Sequence, residues 1–163
     1  MEVRRLRFEA ESLELINIAH RKAKELGHSY VGSVHLLLAL MSGSGCTSRI
    51  LRDFGLDATV TEDLAALLYR KGSPHLPLPQ GLSTGAGQIL RGAAKEAMFR
   101  KGRSIHPVHI LLSLVRRENT AAGELLLLSG IDAGELFTKT VEDMQWQAHA
   151  PAKHKKEVFQ YLS

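Results

Sequence analysis

The sequence predicts an all-α fold: eight helices arranged as two four-helix repeats related by a pseudo-two-fold axis. Three observations predict it. The chain repeats itself: residues 19–40 (AHRKAKELGHSYVGSVHLLLAL) align with 93–114 (AAKEAMFRKGRSIHPVHILLSL) at an offset of 74, placing His35 on His109. After one residue is gained, the match resumes at an offset of 75, with Gly55-Leu56-Asp57-Ala58 on Gly130-Ile131-Asp132-Ala133. Apolar residues recur at steps of three and four. Leu and Ala dominate them and aromatic residues are only 6% of the chain, which favours helix over strand; no strand is predicted.

The elements follow in order. Phe8, Ser12, Leu15, Ile16, Ala19, Ala23 and Leu26 form one stripe of an amphipathic helix over 8–26, closed by Gly27 at the usual left-handed cap position. Ser33 reads as the N-cap of a second helix over 34–41, stopped by the small residues 42–45. A third helix over 47–54 ends at Gly55, and Asp57 or Thr59 caps a fourth that runs to Tyr69. Three of the five prolines, Pro74, Pro77 and Pro79, then break the pattern.

The plan then repeats. A helix covers 83–101 and is ended by Gly102, and Pro107 opens the next in a first turn, where its missing N–H costs nothing; that helix runs to about Glu118. Helices over 120–129 and 133–144 complete the set. The predicted organisation is repeat 1 at 1–71, a Pro-rich connector at 72–82, repeat 2 at 83–144 and a polar linker at 145–163.

At 163 residues the chain fits one compact domain, and each repeat alone would hold only a marginal core. The net charge of +4 invites a nucleic-acid reading, but the basic residues are dispersed and never interleaved with aromatics, which reads as solvated surface. The lone Cys46 fits a cytoplasmic protein, Glu9, Glu11 and Glu14 interrupt any secretory h-region, and the apolar runs are too short to span a bilayer.

No catalytic signature is found. The segment from Gly43 lacks the spacing of a phosphate-binding loop. His106 and His109 lack the further ligands that zinc needs, so His35 and His109 are read as structural residues bonding a neighbouring turn. Cys46 has no counterpart in the second repeat. What remains is a binding surface, with equivalent helix starts at Val34 and Val108 offering backbone donors to anionic groups and apolar grooves to peptides. Equally, these valines could simply pack in the core.

Phe8, Ala19, Ala23, Leu26-Gly27-His28, Tyr30-Val31-Gly32 and Ser33-Val34-His35-Leu36-Leu37-Leu38-Ala39-Leu40 together resemble the Clp N-terminal repeat, the domain that heads the Clp-type AAA+ unfoldases. The second copy shows the motif more weakly from Arg103 to Leu112, and the resemblance extends over about 8–144. It implies an all-α double repeat, non-catalytic by itself, that recruits protein substrates or an adaptor to an ATPase ring acting in cis. ATP and magnesium are implied only for an AAA+ module outside this chain, toward which the linker at 145–163 would lead; the chain itself is expected to hold no cofactor or metal, to be monomeric and to contact no membrane. The alternatives are a free-standing Clp-repeat adaptor and, more remotely, a basic helical nucleic-acid-binding domain.

The chain departs from the family motif at the positions that matter most. In the branch that recognises phosphorylated arginine, a Glu in each copy holds the guanidinium, and a Thr stands near the start of each repeat. Here the Glu positions hold Val34 and Val108, and the Thr positions align with Glu9 and Ser83. Losing both carboxylates removes the charge-assisted bonds a guanidinium needs. The expected binding residues are Glu9, Ser33, Val34, Ser83, Pro107 and Val108, in pockets made more apolar by the valines.

Overall fold

The computed structural model describes residues 6–43, 45–69 and 81–149. The connector expected at 72–82 lies outside these residues up to Gln80, and so does the linker expected at 145–163 beyond His149. The order is β1 (Arg7–Phe8), α1 (Ala10–Glu25), α2 (Ser33–Met41), α3 (Cys46–Asp53), α4 (Ala58–Leu68), α5 (Thr84–Phe99), β2 (Ser104–Ile105), α6 (Pro107–Val115), α7 (Ala121–Leu128) and α8 (Ala133–His149).

The centre belongs to α2 and α6. All nine residues of α2 are buried, and so is all of α6 except Pro107 and its flanks. Their apolar runs, Leu36-Leu37-Leu38 and Ile110-Leu111-Leu112, are hydrophobic all round because other helices cover them on every side. α1 packs on α2, α5 packs on α6, and α2 meets α6, so both repeats share one core. Each fully buried Leu or Ile there contributes about 1.5–3 kcal/mol.

Strands are present, contrary to the prediction. Arg7 and Phe8 pair in parallel with Ser104 and Ile105, and Val31 bridges Leu82. The two pairings are images of each other, since Phe8 aligns with Leu82 and Val31 with Ile105. Glu9 donates its N–H to the Ile105 carbonyl at 3.0 Å, and Ser83 donates to that of Val31 at 2.8 Å. The entry to each repeat is thus stitched onto the other. Two-residue ladders leave no period-2 pattern in the sequence, which is why periodicity missed them.

Helix ends follow local chemistry. Asp57, Ser83 and Thr120 each accept an N–H from the first turn they cap. Ser33 does not cap α2; Gly32 holds that position. The buried Ser33 Oγ instead accepts the Ala122 N–H at 3.0 Å, capping a helix of the other repeat. Nor does Gly102 supply the left-handed turn after α5. Lys101 does, at φ 57°, where its counterpart Gly27 has φ 69°. α6 stops at Val115, short of Glu118, because residues 116–119 turn toward α7, and α8 runs on past Met144 to His149.

Candidate functional site

A cavity of about 740 Å³ opens where the two repeats meet. Three helix starts border it: Gly32-Ser33-Val34 of α2, Ser83 and Gly85 of α5, and Thr120-Ala121 of α7. Helix starts carry unpaired N–H groups and the positive end of the helix dipole, so they suit hydrogen-bond acceptors and anions. Tyr30, half exposed, and the side chains of His28 and Tyr69 complete one wall.

His35 fixes the floor. Its Nδ1 accepts the Gly32 N–H at 2.8 Å, so its proton sits on Nε2, which lies 2.7 Å from His28 Nδ1 and donates to it. Burial, then the neighbouring His28, pushes the His35 pKa down to about 4. The imidazole is therefore a neutral structural clip, and both its nitrogens are committed. His109 repeats the arrangement, its Nδ1 accepting the His106 N–H at 2.9 Å. Its pKa is also pushed down to about 4 by burial, His106 and Arg100, with Glu96 opposing.

The opposite wall comes from the turn 116–120 of repeat 2. Arg116 is neutralised by Glu96 and lies 4.4 Å from the centre of the Phe137 ring. Arg117 donates to the Ser113 carbonyl at 3.4 Å, and Thr120 Oγ1 caps α7 through Gly123 at 3.2 Å. The Tyr69 hydroxyl is shared between the Ala121 carbonyl and Glu124, and burial followed by Glu124 raises its pKa to about 12. Glu118 is the acidic residue among those lining the cavity.

The expected binding residues separate into two places. Ser33, Val34 and Ser83 come together at this cavity. Val34 is only 3% exposed and Val108 only 8%, so both pack largely in the core, one of the two readings the sequence left open. Glu9 lies at the related place in the other half, beside a cavity of about 950 Å³ that Phe8, Met98, Arg103 and Ser104 also line. There its carboxylate caps nothing but accepts from Ser104 Oγ at 2.7 Å. Pro107, half buried, and Val108 begin α6 nearby. Sequence reasoning missed His28, Tyr30, Tyr69 and the turn 116–120. The one available signal was the single residue gained between the repeats, which falls in that turn.

Among the described residues, no group of three or more His, Cys, Asp or Glu side chains could hold a metal ion.

The family described as Clp repeat (R) N-terminal domain matches residues 7–126. Chaperone protein ClpC1, chloroplastic, of Oryza sativa subsp. japonica is 25% identical over 136 residues, covering 83% of this chain and 15% of that protein. The ATP-dependent Clp protease ATP-binding subunit ClpA homolog of Guillardia theta is 24% identical over the same length, 83% of this chain and 17% of that protein. The chain thus spans a small part of the length of these relatives. Its fold is that of the N-terminal domain of ClpD from Arabidopsis thaliana (TM-score 0.72, 18% identity, covering 85% of this chain and 95% of that one). The Hsp104 N-terminal domain from Candida albicans is also similar (TM-score 0.66, 22% identity, 83% of this chain and 90% of that one). With residues 7–126 matched, and the duplicated helices and their reciprocal stitching in view, the chain belongs to the Clp repeat N-terminal domain family.

Proposed function

We propose that this domain captures segments of substrate or adaptor proteins at the seam cavity and presents them to a Clp-type ATPase ring joined to it in cis. The cavity carries the reading: it is open, built by both repeats, and bordered by three helix starts. Such a domain needs no catalytic group of its own; ATP and magnesium would belong to the ATPase module. A tethered weak binder raises substrate concentration at the ring to roughly millimolar for a short linker. In this reading the protein works in the cytoplasm.

The ligand is an unphosphorylated segment. Val34 and Val108 occupy the two places where a carboxylate would grip a guanidinium, and both side chains are buried. Glu9 would repel a phosphate at the second place. A fluorescent, unphosphorylated, unfolded test protein should therefore bind the domain, and Tyr30→Ala or Ser83→Glu should weaken it by about fivefold, on the order of 1 kcal/mol. Ser83→Glu installs the residue that repeat 1 already tolerates at Glu9, so the fold should survive. Failure to bind unfolded protein would overturn the proposal. So would calorimetric binding of free phosphoarginine at micromolar affinity that is abolished by bulky substitution at Val34 or Val108.

A further inference from the structure

A second, smaller cavity of about 240 Å³ lies on repeat 2 alone, where α6, α7 and the start of α8 converge. Its volume equals that of about eight waters in the liquid, the room of one large apolar side chain. The wall is apolar, from Val115, Leu126, Leu127 and Ile131, and Glu118 and Asp132 line it too, Asp132 Oδ1 also accepting the Glu135 N–H at 2.9 Å. Leu127 is 75% exposed and Leu128 63%. Glu118 lines both this cavity and the one at the seam.

Two observations set this place apart. The first is the comparison with repeat 1, where Met41 stands for Val115, Arg52 for Leu127 and Thr59 for Gly134. Repeat 2 has trimmed the wall at two positions and replaced an exposed cation with an exposed leucine. The second is charge. Between Arg117 and Lys139 the chain carries Glu118, Glu124, Asp132 and Glu135 and no Lys, Arg or His; Glu118 and Asp132 line the socket, whereas Glu124 accepts from the Tyr69 hydroxyl. An apolar socket lined by two acidic residues and no basic one suits a ligand that is apolar at its centre and basic beside it.

We infer that this socket docks a basic segment of a partner protein, with one large apolar side chain seated against Leu126, Leu127 and Ile131 and flanking Lys or Arg residues beside Glu118 and Asp132. The seated side chain supplies the affinity, and the two acidic residues supply selection and orientation.

Fluorescence anisotropy with a labelled peptide of alternating lysine and leucine tests this, alongside a lysine-only peptide and a glutamate–leucine peptide, at an ionic strength of about 0.15 M. The lysine–leucine peptide should bind at least about tenfold more tightly than either control. Leu127→Arg and Gly134→Thr, which restore the residues of repeat 1, should each weaken it by about tenfold, with unchanged thermal unfolding. Ser83→Glu in the seam cavity should leave it unchanged. The inference is overturned if no peptide binds, if the lysine-only peptide binds equally (charge alone), or if the glutamate–leucine peptide does (apolar contact alone). Indifference to Leu127→Arg, or loss with Ser83→Glu, would overturn it too, the latter by placing the peptide in the other cavity.

Discussion

The two repeats share a backbone plan and differ in how each position is filled. Both begin with a parallel backbone bridge to the opposite repeat, both bury a central helix, and both clip that helix with a neutral histidine at its third position. Yet Glu9 faces Ser83, Gly27 faces Lys101, and Ile18 faces Gly92 at equivalent places. The buried central helices and their histidine clips tolerate little, since a buried polar group must be paired and a core must be filled. Glu9 and Ser83, which line cavities, have diverged, and so have the turn after the first helix and one packing contact behind it.

The largest test of this comparison is a pair of compensating residues. Gly92 on α5 lies so close to Ser113 and Arg117 that an added Cβ would collide with both side chains. Ser113 is fully buried and donates to the Ile89 carbonyl at 2.6 Å. Repeat 1 solves the same contact the other way, with Ile18 on α1 and Ala39 on α2. Gly92→Ile should therefore destabilise the domain by about 3 kcal/mol or more, from overpacking and the displaced Ser113 hydroxyl. Adding Ser113→Ala should restore part of that loss in denaturant unfolding. Simple additivity of the two changes would show that the repeats are not interchangeable at this contact.

Next in size is the pair of histidine clips. Each must be neutral for Nδ1 to accept its N–H. In the unfolded chain a histidine takes up its proton near 6.5, but in the fold His35 and His109 do so only near 4. Between those values the unfolded chain binds more protons, so stability is whole above about pH 6.5 and declines as pH falls toward 4. The slope is about 1.4 kcal/mol per pH unit for each histidine. At about pH 5 unfolding should cost roughly 2 kcal/mol less per clip than at pH 7. His35→Gln should remove one share of that pH dependence and His109→Gln the other. His28 faces the first imidazole, whereas His106, Arg100 and Glu96 face the second. A pH profile unchanged in either variant would break the equivalence of the two clips.

The duplicated motif carried most of the architecture into plain view. Apolar steps of three and four located the helices, and Asp57, Gly27 and Gly55 marked a helix start and two left-handed ends as the structure has them. Local patterns end where the partner is remote. Ser33 has the chemistry of an N-cap, but its hydroxyl serves Ala122, 89 residues away. Ser12, read as part of an apolar stripe, donates to the Ile105 carbonyl at 2.7 Å. The wall of the seam cavity comes from a turn of the opposite repeat, so no window around Val34 or Ser83 could contain it. The two valines were legible only as one of two readings, core or contact, because a helix start reads the same whether it faces solvent or another helix.

The smallest test concerns the turn after the first helix of each repeat. The same bonds close it in both: His28 N–H to Ala23 at 2.9 Å, and Gly102 N–H to Ala97 at 2.7 Å. The left-handed residue between is Gly27 in one and Lys101 in the other. A side chain there costs about 1–2 kcal/mol in backbone sterics, partly offset because glycine loses more entropy on folding. Lys101→Gly should thus stabilise the domain by up to about 1 kcal/mol, and Gly27→Ala should destabilise it by a similar amount. Thermal unfolding of the two variants reads both signs. If Lys101→Gly were destabilising, the lysine side chain would have to make a contact worth more than its strain, and the turn in repeat 2 would be a specialised feature rather than a tolerated substitution.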